Sequence, residues 1–168
     1  IWLGLFQREA DYLPTYPKNT MNTRGINQPL IAVGDTDGLI AVLSEEDAGH
    51  NKAVSTVAKL LQHDAQTVFP LTTIIETVTT LRRKLNRADL AEKVVSRIMD
   101  GTLSIENVDT DMLNEALKVF DPKRSKQNTL FDAIVAATAK KLNTKIIFST
   151  DNWYEKLGFT LAANLFQN

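Results

Sequence analysis

Leu30-Ile31-Ala32-Val33-Gly34 runs directly into Asp35-Thr36-Asp37-Gly38, and this stretch decides the fold class. Small and apolar residues in a short run suit a strand buried on both faces, and the polar turn after them suits entry into a helix. From Leu39 to Gln62 apolar residues recur at helical spacing. A turn and a fresh helix start are expected at Ser44–Asp47, with Ser44 as N-cap. Thr67–Pro70 reads as a second strand, and Leu71, Ile74, Ile75, Val78, Leu81 and Leu85 mark the apolar stripe of the next helix. Ala88–Met99 is helical and is stopped by Gly101, Leu103–Val108 alternates like a strand, and Asp109–Phe120 is a helix closed by Pro122. Asn128–Leu142 is a further helix ending at Asn143, Lys145–Phe148 a strand, and a short helix and a last strand around Phe159–Leu161 follow. This alternation predicts an α/β domain whose central, mainly parallel sheet is flanked by helices on both faces.

Composition narrows the class further. The 168 residues suit one domain, and 43% hydrophobic with 23% charged residues excludes a disordered chain. Nineteen basic against twenty acidic side chains exclude a bulk polycation but not local basic patches. Without cysteine there are no disulfides, thiolate metal sites or thiol chemistry, which fits a reducing cytoplasm. No apolar run approaches the roughly 18–20 residues that cross a bilayer, so no membrane association is expected. Residues 1–20 form an N-terminal arm distinct from a domain over 21–168. With Trp2, Leu3, Leu5, Phe6, Tyr12 and Tyr16, the arm is either a non-native extension or a segment that docks its large side chains on a groove.

Four carboxylates stand out. Asp35 and Asp151 each follow an apolar strand, and sites in parallel sheets lie beyond the carboxyl ends of strands. Each also suits the plainer role of capping the next helix. Asp132 lies on a helix that is apolar nearly all round, which places an acid at a buried or crevice-facing position. Glu76 lies opposite its helix's apolar stripe, among Thr72, Thr73, Thr79 and Thr80 rather than long polar side chains. Such oxygen donors, with only two histidines in the chain, suit a hard cation, Mg²⁺ or Mn²⁺. Basic residues gather in two places, Arg82, Arg83, Lys84 and Arg87 after the Glu76 helix and Lys123, Arg124 and Lys126 before the Asp132 helix. Both are candidates for phosphate contacts, although charge runs at helix ends commonly face solvent. Trp153 and Tyr154 are candidates for stacking on bases or for the core. No glycine-rich phosphate loop and no G-x-S-x-G motif occurs.

Taken in order, four segments resemble the PIN-domain nucleases, in particular the VapC-type toxin ribonucleases of toxin–antitoxin pairs. They are Ala32–Ile40 (AVGDTDGLI), Thr73–Val78 (TIIETV), Asn128–Ala139 (NTLFDAIVAATA) and Ile147–Tyr154 (IFSTDNWY). The resemblance spans Leu30 to about Leu161. It implies that Asp35, Glu76, Asp132 and Asp151 are catalytic and hold Mg²⁺ or Mn²⁺, which activates water against an RNA phosphodiester. It implies Thr36 and Thr150 as hydroxyls orienting those carboxylates or water. An endoribonuclease toxin, an RNA substrate, an antitoxin protein as partner and a homodimer are the matching expectations. On that basis the arm, with Arg8 behind its apolar anchors, mimics part of an antitoxin. Asp37-Gly38 departs from the family, which often has Asn or Ser and a bulkier residue there.

Two rival readings accompany this one. D-x-D-G after a strand also resembles haloacid-dehalogenase-type phosphatases, with Asp35 as nucleophile and Asp37 as acid/base. That family expects Thr-Leu after the glycine, where this chain has Leu39-Ile40, and has no role for Glu76 or Asp132. A non-catalytic RNA-binding module of the same fold would leave the acids idle, against which stands the presence of all four.

Overall fold

Successive residues of a strand point to opposite faces of its sheet, and here the alternation sorts the core into two layers. In the computed structural model, which describes residues 29–123 and 128–165, strand β1 spans Ile31–Gly34. Its Ala32 packs with Ile146, Phe148, Ala41, Ala53 and Leu60 on one face. Val33 packs with Ile147, Val135, Ala136, Ala139 and Tyr154 on the other. A strand clothed on both sides must be apolar throughout, which is why LIAVG carries no polar residue.

The remaining strands are β2 (Gln66–Pro70), β3 (Ser104–Glu106), β4 (Ile146–Phe148) and β5 (Thr160–Leu161). They form one sheet in the order β3-β2-β1-β4-β5, and every neighbouring pair is parallel. The helices are α1 (Thr36–Leu43), α2 (His50–Gln62), α3 (Leu71–Arg83), α4 (Ala88–Met99), α5 (Thr110–Leu117), α6 (Leu130–Lys141), α7 (Trp153–Lys156) and α8 (Ala162–Leu165). The expected α/β class is therefore observed. The order of strands reverses between β1 and β4, with Gly34 beside Phe148 and the Asp35 amide donating to the Phe148 carbonyl at 3.0 Å. Such a reversal opens a crevice at the carboxyl ends of the two strands.

Several local expectations need correction. Ser44 does not start a helix: it is the C-cap of α1, its amide donating to the Ile40 carbonyl. Asp35 already caps the chain as it leaves β1, so α1 begins at Thr36. After it Asp47 holds the turn, its Oδ1 accepting from the Gly49 amide at 2.7 Å, and α2 starts at His50. The apolar stripe read along α3 is also rotated. Its buried residues are Thr73, Ile74, Thr77 and Leu81, while Ile75 is 55% exposed and Leu71 and Leu85 are exposed too. Ile74 and Leu81 pack with Leu39, Ile40, Phe69, Leu90 and Val94. Beside them the compact threonines are buried, so residue size overrides polarity on this face. On α6 seven consecutive residues, Ala133–Ala139, are buried as expected, but Phe131 is 37% exposed. The N-terminal arm, Arg124 and Lys126 lie outside the described residues.

Gly38 explains part of the unusual Asp37-Gly38 pair. A Cβ there would stand 2.6 Å from the Phe148 carbonyl oxygen, so α1 lies against β4 only because this position has no side chain. Gly38→Ala is therefore expected to destabilise the protein by about 1–3 kcal/mol, overpacking outweighing the gain in helix propensity. Thermal denaturation checks this, and an unchanged Tm would contradict the close approach.

Candidate active site

The crevice between β1 and β4 is built by local capping interactions that also aim the acids. Asp35 Oδ1 accepts from the Thr36 amide at 2.7 Å, as N-cap of α1. Asp132 occupies the third position of α6 and forms a capping box with Thr129, accepting from the Thr129 amide. Asp151 Oδ1 accepts from the Trp153 amide at 2.8 Å where the chain turns into α7. The capping role and the site role of these acids coexist.

Hydroxyl groups link the acids to one another. Thr36 Oγ1 donates to Glu76 Oε2 at 2.7 Å, joining α1 to α3. Thr150 makes a different contact: its amide donates to Asp37 Oδ2 at 2.7 Å and its hydroxyl donates to the same oxygen. Ser149 instead spans the crevice, its hydroxyl donating to Asp35 Oδ2 at 3.4 Å while accepting from the Asp151 amide at 3.0 Å. The buried Tyr154 hydroxyl donates to Asp35 Oδ2 at 2.7 Å. Asn128 Nδ2 reaches Asp151 Oδ2 at 3.4 Å. Sequence grounds do not single out Ser149, and they present Tyr154 as a base-stacking or core residue, not as a hydrogen-bond donor to Asp35. The available signal was a Ser at the end of the β4 strand and a Tyr where phenylalanine would serve packing alone.

Asp35 is 3% exposed. Burial, then the charges of Asp37 and Asp132, push its pKa up to about 8 against the opposing hydrogen bonds from Tyr154 and Thr36. Burial also raises Asp132, opposed by its bonds from Thr129 and reinforced by Glu76 and Asp151. Electrostatic coupling thus runs from Asp35 to Asp132 and on to Glu76 and Asp151. Among the described residues, no three His, Asp or Glu side chains are packed into a ready-made metal cluster. The acids are neighbours that repel, and their oxygen-only donor set with two desolvated carboxylates fits a hard divalent cation. Asp35, Glu76, Asp132 and Asp151 are the candidates to hold it.

The basic residues divide. Arg82, Arg83, Lys84 and Lys123 are exposed. Arg87 is engaged, its Nε and Nη2 on Asp89 at 3.0 and 2.8 Å and its Nη1 3.5 Å from Glu46. Trp153 and Tyr154 pack edge to face, with ring centroids 5.4 Å apart; Tyr154 is a core residue, and the half-buried Trp153 packs against that core. Asp37, proposed as acid/base in the phosphatase reading, has Oδ1 on the Gly38 amide at 2.6 Å and Oδ2 on Thr150.

With this geometry in place, the comparisons with known proteins are decisive for the family. The model of the PIN domain matches residues 32–159, well over half of the chain. The chain belongs to the PIN-domain family. No curated protein sequence matches it. Among solved structures, this PIN domain is similar to VapC20 of Mycobacterium tuberculosis, described as a toxin that cleaves the sarcin–ricin loop. The TM-score is 0.65 at 20% identity, covering 77% of this chain and 96% of that one, a likeness of fold. No helix among the described residues is long and apolar enough to cross a membrane.

The electrostatics of the PIN-domain crevice have a consequence for stability. An acid whose pKa is higher folded than unfolded favours the fold fully below its unfolded value of 3.8, and that contribution is lost as pH rises through about 8. In chelator, the Tm should therefore fall between pH 5 and pH 8. Asp35→Asn should flatten that fall and stabilise the protein at pH 8 by roughly one to several kcal/mol. Parallel pH profiles for the two proteins would refute the buried-acid assignment.

Proposed function

We propose that this PIN domain is a metal-dependent endoribonuclease acting as the toxin of a type II toxin–antitoxin pair. The observation that supports the proposal is the reversal of strand order at β1 and β4, which brings the Asp35 and Asp151 ends of two strands together, with Glu76 bonded to Thr36 and Asp132 within electrostatic reach. Bound there, Mg²⁺ or Mn²⁺ supplies Lewis acidity toward a phosphodiester oxygen and toward water. The chain supplies the rest. Thr36 orients Glu76, Ser149 and Tyr154 orient Asp35, and the capping bonds hold Asp132 and Asp151. Arg82, Arg83, Lys84 and Lys123, with Arg124 and Lys126 beyond the described residues, are the proposed phosphate contacts, and Arg87 would join them by leaving Asp89. Thr150 would act through Asp37, steadying the loop that bears Asp151. The proposed setting is the cytoplasm, as a homodimer restrained by an antitoxin protein.

The phosphatase reading is weaker, because it requires a free Asp37 and a Asp35 open to substrate. Incubation with single-stranded RNA, with a sarcin–ricin-like hairpin and with a small phosphomonoester separates the readings. Cleavage of RNA that is abolished by EDTA, and reduced roughly 100-fold or more by Asp35→Asn or Asp132→Asn, is expected. Release of phosphate from the monoester with intact RNA would favour the phosphatase. A gel shift without cleavage would favour a binding module.

A further inference from the structure

The Tyr154 ring is 0% exposed and packs among Val33, Val135, Ile147, Phe159 and Leu161. A phenylalanine would satisfy that apolar setting. A buried hydroxyl costs roughly 1–3 kcal/mol unless it is hydrogen-bonded, so the tyrosine is explained by its acceptor. That acceptor is Asp35 Oδ2 at 2.7 Å, 119 residues away in sequence. The backbone of Tyr154 is in turn fixed to the opposite acid: its amide donates to the Asp151 carbonyl at 3.4 Å, and the adjoining Trp153 amide donates to the Asp151 carboxylate at 2.8 Å. One residue thereby joins the acid at the end of β1 to the loop bearing the acid at the end of β4. Ser149 makes the same connection through a longer contact to Asp35, 3.4 Å.

We propose that Tyr154 is a positioning residue whose hydroxyl fixes the Asp35 carboxylate against the Asp151 loop and so sets how tightly the crevice takes a divalent cation. The inference rests on the nuclease reading above. A hydroxyl holding one oxygen of a ligating carboxylate removes a rotational freedom that the cation would otherwise have to freeze, and such outer partners commonly change metal affinity 10–100-fold. Because the ring lies in the core and only its oxygen meets Asp35, the two contributions can be separated by substitution.

Isothermal titration with Mn²⁺ of the wild type, Tyr154→Phe and Phe159→Leu tests this. Phe159 is a buried member of the same apolar group that makes no contact through a hydroxyl. Tyr154→Phe is expected to bind Mn²⁺ about 10-fold or more weakly with a fall in Tm no larger than that of Phe159→Leu, and to lower kcat on RNA while leaving KM for RNA unchanged. Phe159→Leu is expected to lower Tm and keep wild-type Mn²⁺ affinity. If Tyr154→Phe binds Mn²⁺ within twofold of wild type, the positioning role is overturned while the nuclease reading stands. Loss of affinity in proportion to lost Tm in both variants, or failure of Tyr154→Phe to fold, also overturns it, since the residue then serves the fold. A wild-type protein that neither binds Mn²⁺ nor cuts RNA overturns both proposals.

Discussion

Everything in this molecule depends on the pairing of β1 with β4. Gly34 lies beside Phe148, and the first amide beyond β1, that of Asp35, is bonded to the last carbonyl of β4. Two chain ends separated by more than a hundred residues therefore leave the sheet at the same point, one as Asp35-Thr36 and the other as Ser149-Thr150-Asp151. Helices α3 and α6 then bring Glu76 and Asp132 within electrostatic reach. Close contacts flank the pairing. A side chain at Gly34 would meet the Phe69 ring and one at Gly38 the Phe148 carbonyl. Gly38 lets α1 lie against the end of β4, and Gly34 leaves room for the Phe69 ring of β2.

That approach has an energetic consequence. Asp35 is nearly inaccessible to water and Asp132 is partly desolvated; burial, reinforced by neighbouring carboxylates, raises the proton affinity of these two and weakens the fold at neutral pH. The fold tolerates this because each of the four carboxylates accepts at least one hydrogen bond. Backbone amides of Thr36, Thr129 and Trp153 and hydroxyls of Thr36, Ser149 and Tyr154 share the task. A site strained by its own charge is one that gains from a cation, which is the physical link between the stability and the chemistry proposed for it.

Much of the architecture was legible because strong periodicity and strong punctuation agree: LIAVG before Asp35, KIIF before Ser149, Asn143 at the end of α6 with a φ of 51°. Glu76 and Asp132 stood out as candidates because each lies on a helix face where an ordinary sequence would place something else, and Asp35 and Asp151 because each follows an apolar strand. What escaped was set by packing and by distance in the chain. Ile75 looked like core and is exposed, while Thr73 and Thr77 are buried, since helix α3 turns toward its neighbours the face with compact side chains. Ser44 looked like the start of a helix and instead closes the one that Asp35 caps, while the turn held by Asp47 separates it from α2. The hydroxyl of Tyr154 finds Asp35 across 119 residues, a contact that no local pattern encodes.

The central claim is that Asp35, Glu76, Asp132 and Asp151 form one cation site at the point where strand order reverses. Crystals of the protein grown or soaked with Mn²⁺ and measured for anomalous scattering address it without relying on activity. The account predicts an anomalous peak in the β1–β4 crevice within about 2–2.3 Å of carboxylate oxygens from at least two of these four residues, absent from crystals of Asp132→Asn. A peak confined to other residues, or none at saturating Mn²⁺, would contradict it.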